Sequence, residues 1–250
     1  MGSIETIITD RVATIVFEHP ASNSFPSTQL KALANAIEVL NNNKEVTVIV
    51  LKSTGSGAFC AGASFDELLS IQDFETGKEF FSGFARVINA MRSSKNIIVG
   101  RIQGKAVGGG VGLAAACDYT FATAKAMIKL SELAIGLGPF VIEPAVSRKI
   151  GKTAMASMSL APNDWMSAQW AFDKGLYQKI FATADQMDEA LNAYVSELSQ
   201  YNPEALIEMK KVLWKDTDHW DTLLYENAGI SGKLALSEFT VQALSKFKKK

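Results

Sequence analysis

The chain has 250 residues, 48% of them hydrophobic and 20% charged, which excludes a disordered or collagen-like polymer. Twenty-five basic against twenty-six acidic residues leave a formal charge of −1, so no global positive field exists to gather nucleic acid or anionic lipid. The longest useful uncharged run, Ala106 to Cys117, is twelve glycine-rich residues, short of the ~20 apolar residues of a membrane span. Glu5, Asp10 and Arg11 follow the start with no apolar signal-peptide core before them. Cys60 and Cys117 form neither a disulfide framework nor a metal spacing, and the expectation is a cytoplasmic protein with reduced, buried thiols. His19 and His219 are too few for a His-rich metal site, and neither sits in a recognisable catalytic setting.

Residues 3–17 alternate as two strands turning at Asp10-Arg11. After a loop through His19 and Pro26, a helix begins near Ser27 or Thr28, either of which can cap it, and Leu30, Leu33, Ala34, Ile37 and Leu40 keep helical spacing. Val46 to Leu51 is a β-branched run typical of a strand buried on both faces. Small residues fill Thr54 to Ala63, Phe80 to Met91 makes a helical stripe, and Ile97 to Ile102 is a further buried strand. Gly104 and Gly108 to Gly110 punctuate the next turn, Val111 to Cys117 reads as a buried helix, and Tyr119 to Ala122 and Met127 to Leu130 as strands. This alternation predicts an α/β core with parallel central strands and right-handed crossovers. From about residue 152 the pattern is helical, with Asp185 to Leu198, Pro203 to Trp214 and Leu223 to Phe247 as its segments. The lysines at 248–250 read as a solvated end.

Two glycine-rich segments each follow a predicted strand: Phe59 to Ala63 and Gly104 to Gly112. Neither is a nucleotide fingerprint, because Val99 stands where a Walker loop needs glycine and Leu113 ends the dinucleotide pattern begun at Gly108 and Gly110. Glycines between a strand and a helix leave backbone N–H groups at the positive end of the helix, and two such loops can aim two donors at one developing oxyanion. Equally, the glycines permit tight strand–helix packing, which spacing alone favours.

The motifs, taken together, resemble those of the crotonase (enoyl-CoA hydratase/isomerase) superfamily. Ala58 to Glu67 is similar to its A-F-x-A-G-A-D-x-x-E segment, and Gly104 to Asp118 to its G-x-A-x-G-G-G-x-E-L-A-x-x-C-D segment. Ser131 to Gly138 is similar to its P-E-x-x-L-G stretch, and Ser167 to Leu176 to its S-A-x-x-A-x-x-x-G-L. The resemblance covers nearly the whole chain in family order. It implies a crotonase-like ββα superhelix of the ClpP/crotonase type, with an α/β core at 1–195 and a C-terminal helical trimerisation region at 196–250. It implies acyl-CoA thioesters as substrates, with coenzyme A entering as part of the substrate and no separate cofactor or metal. It also implies a homotrimer or a dimer of trimers, and no nucleic-acid or membrane partner.

Residue by residue, the resemblance places the oxyanion donors at the backbone amides of Ala63 and Gly109, next to Gly108, and runs Ala61 to Phe65 beside the adenine and pantetheine of CoA. Asn23 falls where the family's early loop touches the CoA moiety. The family's hydratases generally use two glutamates. Here Gly112 stands in place of one, while Glu132 keeps the other, with Ser131 replacing the usual proline. An apolar setting for Glu132 would raise its pKa and suit proton transfer near neutral pH. A single base suffices to move a double bond from the 3 to the 2 position, so isomerase is preferred. Hydration by Glu132 alone and a catalytically silent CoA-thioester-binding member are the alternatives. Gly138-Pro139-Phe140 is similar to a stretch of some mitochondrial enoyl-CoA isomerases, and the same Pro139-Phe140 leaves no aspartate for the family's dehalogenase chemistry. Glu143 is a reserve base. Ser64 replaces the family's aspartate and is expected to satisfy a local backbone group. Asp66 and Glu67 are expected on an exposed helix start, and Asp118 as a turn pin. Lys246 and Lys248 are read as a basic tail rather than a phosphate contact, and Met155, Met158, Trp165 and Trp170 as core.

Overall fold

A computed structural model of the chain describes residues 2–246, so the expectations for Lys248 and for the end of the last helix at Phe247 lie outside the described residues. The alternating N-terminal segments form β1 (Ser3–Thr9) and β2 (Val12–Glu18), an antiparallel pair. Asp10 and Arg11 at its turn both take positive φ, the twist a two-residue hairpin needs. From β2 onward the main sheet is parallel: β3 (Val48–Ser53), β4 (Ile97–Ile102), β6 (Tyr119–Thr123) and β8 (Lys179–Phe181) add in the order β1-β2-β3-β4-β6-β8.

The apolar runs of β3 and β4 follow from burial on both faces. On one side α1 (Ser27–Asn41), α3 (Phe74–Ser93) and α4 (Gly109–Ala116) cover Ile49, Leu51, Ile98 and Ile102. On the other, Met187, Leu191 and Val195 of α7 (Ala184–Ser199) cover Val48, Val50, Ile97 and Val99. Each fully buried Leu or Ile contributes about 1.5–3 kcal/mol, so the stripe Leu30, Leu33, Ile37 and Leu40 holds α1 far more firmly than its intrinsic propensity could.

A second, smaller sheet pairs β5 (Ala106–Val107) with β7 (Ile128–Lys129). Isolated bridges extend it on both sides, Cys60 to Ala106 in parallel and Met166 to Ile128 antiparallel. It stands where β4 hands over to α4 and carries the chain into the glycine turn, in which Gly108 and Gly110 are buried.

The remaining helices are α2 (Phe65–Ser70), α5 (Glu143–Ser159, interrupted at Gly151 with φ +76), α6 (Ala168–Asp173), α8 (Pro203–Leu213), α9 (Trp220–Ala235) and α10 (Glu238–Ser245). Several expectations need correction. The N-terminus of α1 is not capped by Ser27 or Thr28. The cap is Pro26, and the carboxylate of Glu67 reaches across to accept from the Ser27 N–H at 2.9 Å and its hydroxyl at 2.5 Å. Glu67 is therefore half-buried at a helix end, where a negative charge is favoured, rather than exposed on α2. The expected single helix from Leu223 breaks at Ser237, whose hydroxyl caps α10 by accepting from the Thr240 N–H. Strand β8 escapes the periodicity because three residues cannot show alternation.

The boundary expected at 195/196 falls inside α7, and α9 packs directly on α3. The two backbones touch at Gly77 and Gly232, where a Cβ on Gly77 would come 3.0 Å from the Gly232 Cα. The fold class matches the expectation: a mixed α/β core of repeated strand–strand–helix turns followed by C-terminal helices. Asp118 pins more than a turn. It is a buried hub that accepts from the Ile98 N–H, the Lys210 ammonium at 2.6 Å and the Trp214 indole at 2.6 Å, tying α8 to β4.

Candidate active site

The site begins with two backbone turns. In the first, Asn23 takes φ +56 and is only 7% exposed. Its amide donates to the carbonyls of Thr54 (3.2 Å) and Ala58 (2.9 Å), while its side-chain oxygen accepts from the His19 N–H. Asn23 thus clasps the loop that leads to Ala61. Both of its donor hydrogens are spent on the protein, so the expected contact with a CoA moiety does not fall to this amide's N–H groups. The chain then runs through Cys60, bridged to Ala106, and Gly62 at φ +92, which leaves Ala63 beside Phe25. Ser64 caps α2 by accepting from the Glu67 N–H at 3.3 Å, the local role expected for it.

In the second turn β5 ends at Val107 and Gly108 takes φ +52 before α4 starts at Gly109. Gly108 is required twice over, by this conformation and by its neighbour: a Cβ there would meet the Glu132 Oε1 at 2.8 Å. A Cβ on Gly62 would stand 3.6 Å from the Gly109 nitrogen, so the two loops are in contact. Among the hydrogen bonds of the described residues, neither the Ala63 N–H nor the Gly109 N–H donates to a protein acceptor.

Glu132 opens a short 3-10 turn, Glu132–Ile135, closed by Gly136 at φ +81 and by the Leu137 N–H on the Glu132 carbonyl at 3.0 Å. Phe239 and Thr240 of α10 pack against Gly136, so the C-terminal helix supports the turn from behind. The Glu132 Oε2 is buried without a hydrogen-bond partner. Its loss of hydration pushes the carboxyl up to about 7 from an ordinary 4.5.

These parts line one cavity of about 160 Å³. Ala61, Ala63, Phe65, Gly108, Gly109 and Glu132 all border it, with Phe80, Phe84, Leu137 and Ile142 as apolar walls. Glu132 is the one titratable side chain among its lining residues. Position 112 is filled from outside: a Cβ on Gly112 would meet the Ile142 Cγ2 at 2.4 Å and its Cβ at 2.7 Å. Ile142 is the residue that sequence reasoning missed, because it is adjacent to Gly112 only through the packing of α4 on the start of α5.

Glu143, the reserve base, does not border the cavity. It starts α5 and accepts from the Ser147 hydroxyl at 2.5 Å. Asp66 is exposed in the first turn of α2, and Lys246 is exposed at the end of α10. Met155 and Met158 are core, and Trp170 is half-buried against it. Trp165 is not core, being 36% exposed. No group of three or more His, Cys, Asp or Glu residues among the described residues is arranged to hold a metal, and no helix among them is long and apolar enough to cross a membrane.

Comparison with known proteins adds the following. The family model described as enoyl-CoA hydratase/isomerase matches residues 8–234. The chain is 25% identical over 217 residues to a probable enoyl-CoA hydratase of Bacillus subtilis, covering 86% of this chain and 83% of that protein. It is 35% identical over 117 residues to a mitochondrial methylglutaconyl-CoA hydratase of Rattus norvegicus, covering 47% of this chain and 37% of the relative. The crystal structure of an enoyl-CoA hydratase from Bacillus halodurans superimposes with a TM-score of 0.90 at 21% identity, covering 97% of this chain and 99% of that one, a likeness of fold.

Proposed function

The chain belongs to the enoyl-CoA hydratase/isomerase family, and from that premise we propose that it moves the double bond of a 3-enoyl-CoA thioester to the 2 position, with Glu132 as sole acid–base. The observation that carries this reading is the cavity's single titratable group, an unpartnered carboxylate pushed up to about 7. Glu132 takes the C2 proton, the electron pair spreads into a dienolate, and the same carboxyl returns the proton at C4. The Ala63 and Gly109 amides receive the thioester oxygen as its negative charge grows. Support for that role is that both border the cavity and neither donates to a protein acceptor among the described residues. Ala61 to Phe65 forms the approach for the pantetheine arm. Ile142, packed against Gly112, leaves no room for a second carboxylate to hold a water.

The names of the relatives favour a second reading, water addition to a 2-enoyl thioester by Glu132 alone. A panel of 2-enoyl, 3-enoyl and 3-hydroxyacyl-CoA thioesters separates the two. Faster double-bond migration than water addition is expected, and the reverse overturns the isomerase reading. No turnover of any thioester that binds would mark a silent member.

A homotrimer, alone or doubled, completes the proposal. Its support is the apolar surface left exposed on the C-terminal helices, with Met209, Val212, Ile230, Phe239 and Val241 each about half exposed or more. Leu224, by contrast, is spent inside the chain, and Leu223 and Leu234 are partly covered. A monomer in sedimentation at micromolar concentration refutes this part.

A further inference from the structure

Residues 131–142 form a strap that carries Glu132 near one end and Ile142, the residue against Gly112, at the other. The strap does little to hold itself in place. Its 3-10 turn buries none of its own residues, and Leu133 is 40% exposed. Its backbone bonds stay local: the Ala134 N–H donates to the Ser131 carbonyl, Gly136 to Leu133, Leu137 to Glu132, and the Glu143 N–H to Pro139. Among the hydrogen bonds of the described residues, the one that reaches the strap from outside 131–146 is that of the Asn227 side-chain amide on the Phe140 carbonyl, at 2.9 Å.

The rest of the support is packing, and much of it comes from the C-terminal helices. Leu137 is buried in a cluster with Ala235 of α9 and Leu244 of α10. Gly136 lies against Thr240, where a Cβ on the glycine would stand 2.5 Å from the Thr240 Oγ1. Thr240 is fully buried, and its hydroxyl is held by the Ser237 hydroxyl at 3.0 Å. Asn227, Ser231 and Ala235 follow one another every fourth residue on one face of α9, which thus gives one side chain to the strap, one to the cavity wall and one to the Leu137 cluster. The Glu132 Oε2 has no hydrogen-bond partner, so the aim of the carboxyl depends on the backbone that carries it. A misplacement of ~1 Å at a reacting group can cost about 10²-fold in rate.

We infer that Asn227 and Thr240 are positioning residues: α9 and α10 clamp the strap at Phe140 and Gly136 and so set the aim of Glu132. This rests on the proposed function for the reaction, but the clamp is measurable without turnover. Hydrogen exchange of the segment 131–143 is followed by mass spectrometry in the wild type, in Asn227→Leu, in Thr240→Ala and in Asn96→Ala. The last is a control for general destabilisation: buried Asn96 donates to the Val46 carbonyl at 2.6 Å just before β4 begins, at the end of that strand away from the site. Both clamp variants should exchange about tenfold faster in this segment, and Asn96→Ala should not.

In turnover of a 3-enoyl thioester, each clamp variant should lose about 10- to 10²-fold in kcat, while KM stays within about twofold because the loops of Ala63 and Gly109 are untouched. Thr240→Val keeps the shape that meets Gly136 and should recover most of the loss. A structural role alone would lower the amount of folded protein without this split between kcat and KM. Faster exchange in the clamp variants of a protein that turns over no thioester upholds the clamp and sinks the enzyme reading. Exchange unaltered in both variants, or a kcat loss that Asn96→Ala shares, overturns the clamp and leaves the enzyme reading standing. A Thr240→Val variant as slow as Thr240→Ala refutes the packing of Thr240 on Gly136 as the cause.

Discussion

Replacing Glu132 by glutamine should remove activity and, above neutral pH, make the folded protein more stable. Burial lifts the carboxyl from 4.5 to about 7 in the folded protein, while in the unfolded chain it titrates near its ordinary value. Between those two values the folded protein keeps a proton that the unfolded chain has lost. Its stability contribution is therefore fully present below about pH 4.5 and is lost as pH rises through 7. At ~1.4 kcal/mol per tenfold in proton affinity, the gap amounts to about 3 kcal/mol, of which ~2.5 kcal/mol falls between pH 5 and pH 8.5. Glutamine has the same shape and no charge to desolvate, so it escapes this loss. For a chain of this size ~1 kcal/mol moves Tm by about 2–4 °C, so the advantage of the variant should grow by about 5–10 °C across that range. Calorimetric melting of both proteins at pH 5, 6, 7, 8 and 8.5 tests it. A difference in Tm that stays constant with pH, or a variant less stable at pH 8.5, would refute the claim that the carboxylate is held buried and unpartnered. The same ionisation sets the activity. Only the ionised form can take the C2 proton, so kcat/KM on a 3-enoyl thioester should rise through pH 7, and Glu132→Gln should lose about 10²–10⁴-fold.

Gly112→Glu should destabilise the protein by at least ~1–3 kcal/mol, because its side chain collides with Ile142, and Gly112→Glu/Ile142→Ala should recover part of that loss while raising water addition relative to double-bond migration; additive stability changes in denaturant melts would contradict the contact. Asp118→Asn leaves the Lys210 ammonium buried without its carboxylate and should cost about 3–5 kcal/mol by urea unfolding, whereas loss of an exposed pair such as Lys211–Glu208 should change stability by less than ~1 kcal/mol. Cys60 and Cys117 are buried and burial pushes both thiols up to about 12, so an aromatic disulfide reagent at pH 8 should label neither until the chain unfolds; rapid labelling of the native protein would place a thiol at the surface.

The sequence by itself determined the elements whose pattern is local and the residues whose place is set by a motif. Val48–Ser53 and Ile97–Ile102 are legible because a strand covered on both faces must be apolar throughout, and Leu30 to Leu40 because one helix face meets the core every third or fourth residue. Ala63, Gly109 and Glu132 are singled out in the sequence by their motif positions, and in the structure all three border one cavity. What depends on partners distant in the chain was not legible. Glu67 accepts from the first residue of α1 forty positions away, Asp118 holds Lys210 ninety-two positions away, and the indole of Trp165 lies beside the ammonium groups of Lys105 and Lys129. Even the meaning of Gly112 changed on folding. In the sequence it is an absent glutamate; in the tertiary structure it is the space that Ile142 fills, so the second acid is excluded by packing and not merely missing. Periodicity encodes which face of an element is buried, but which side chain fills a given volume is decided only when the elements pack.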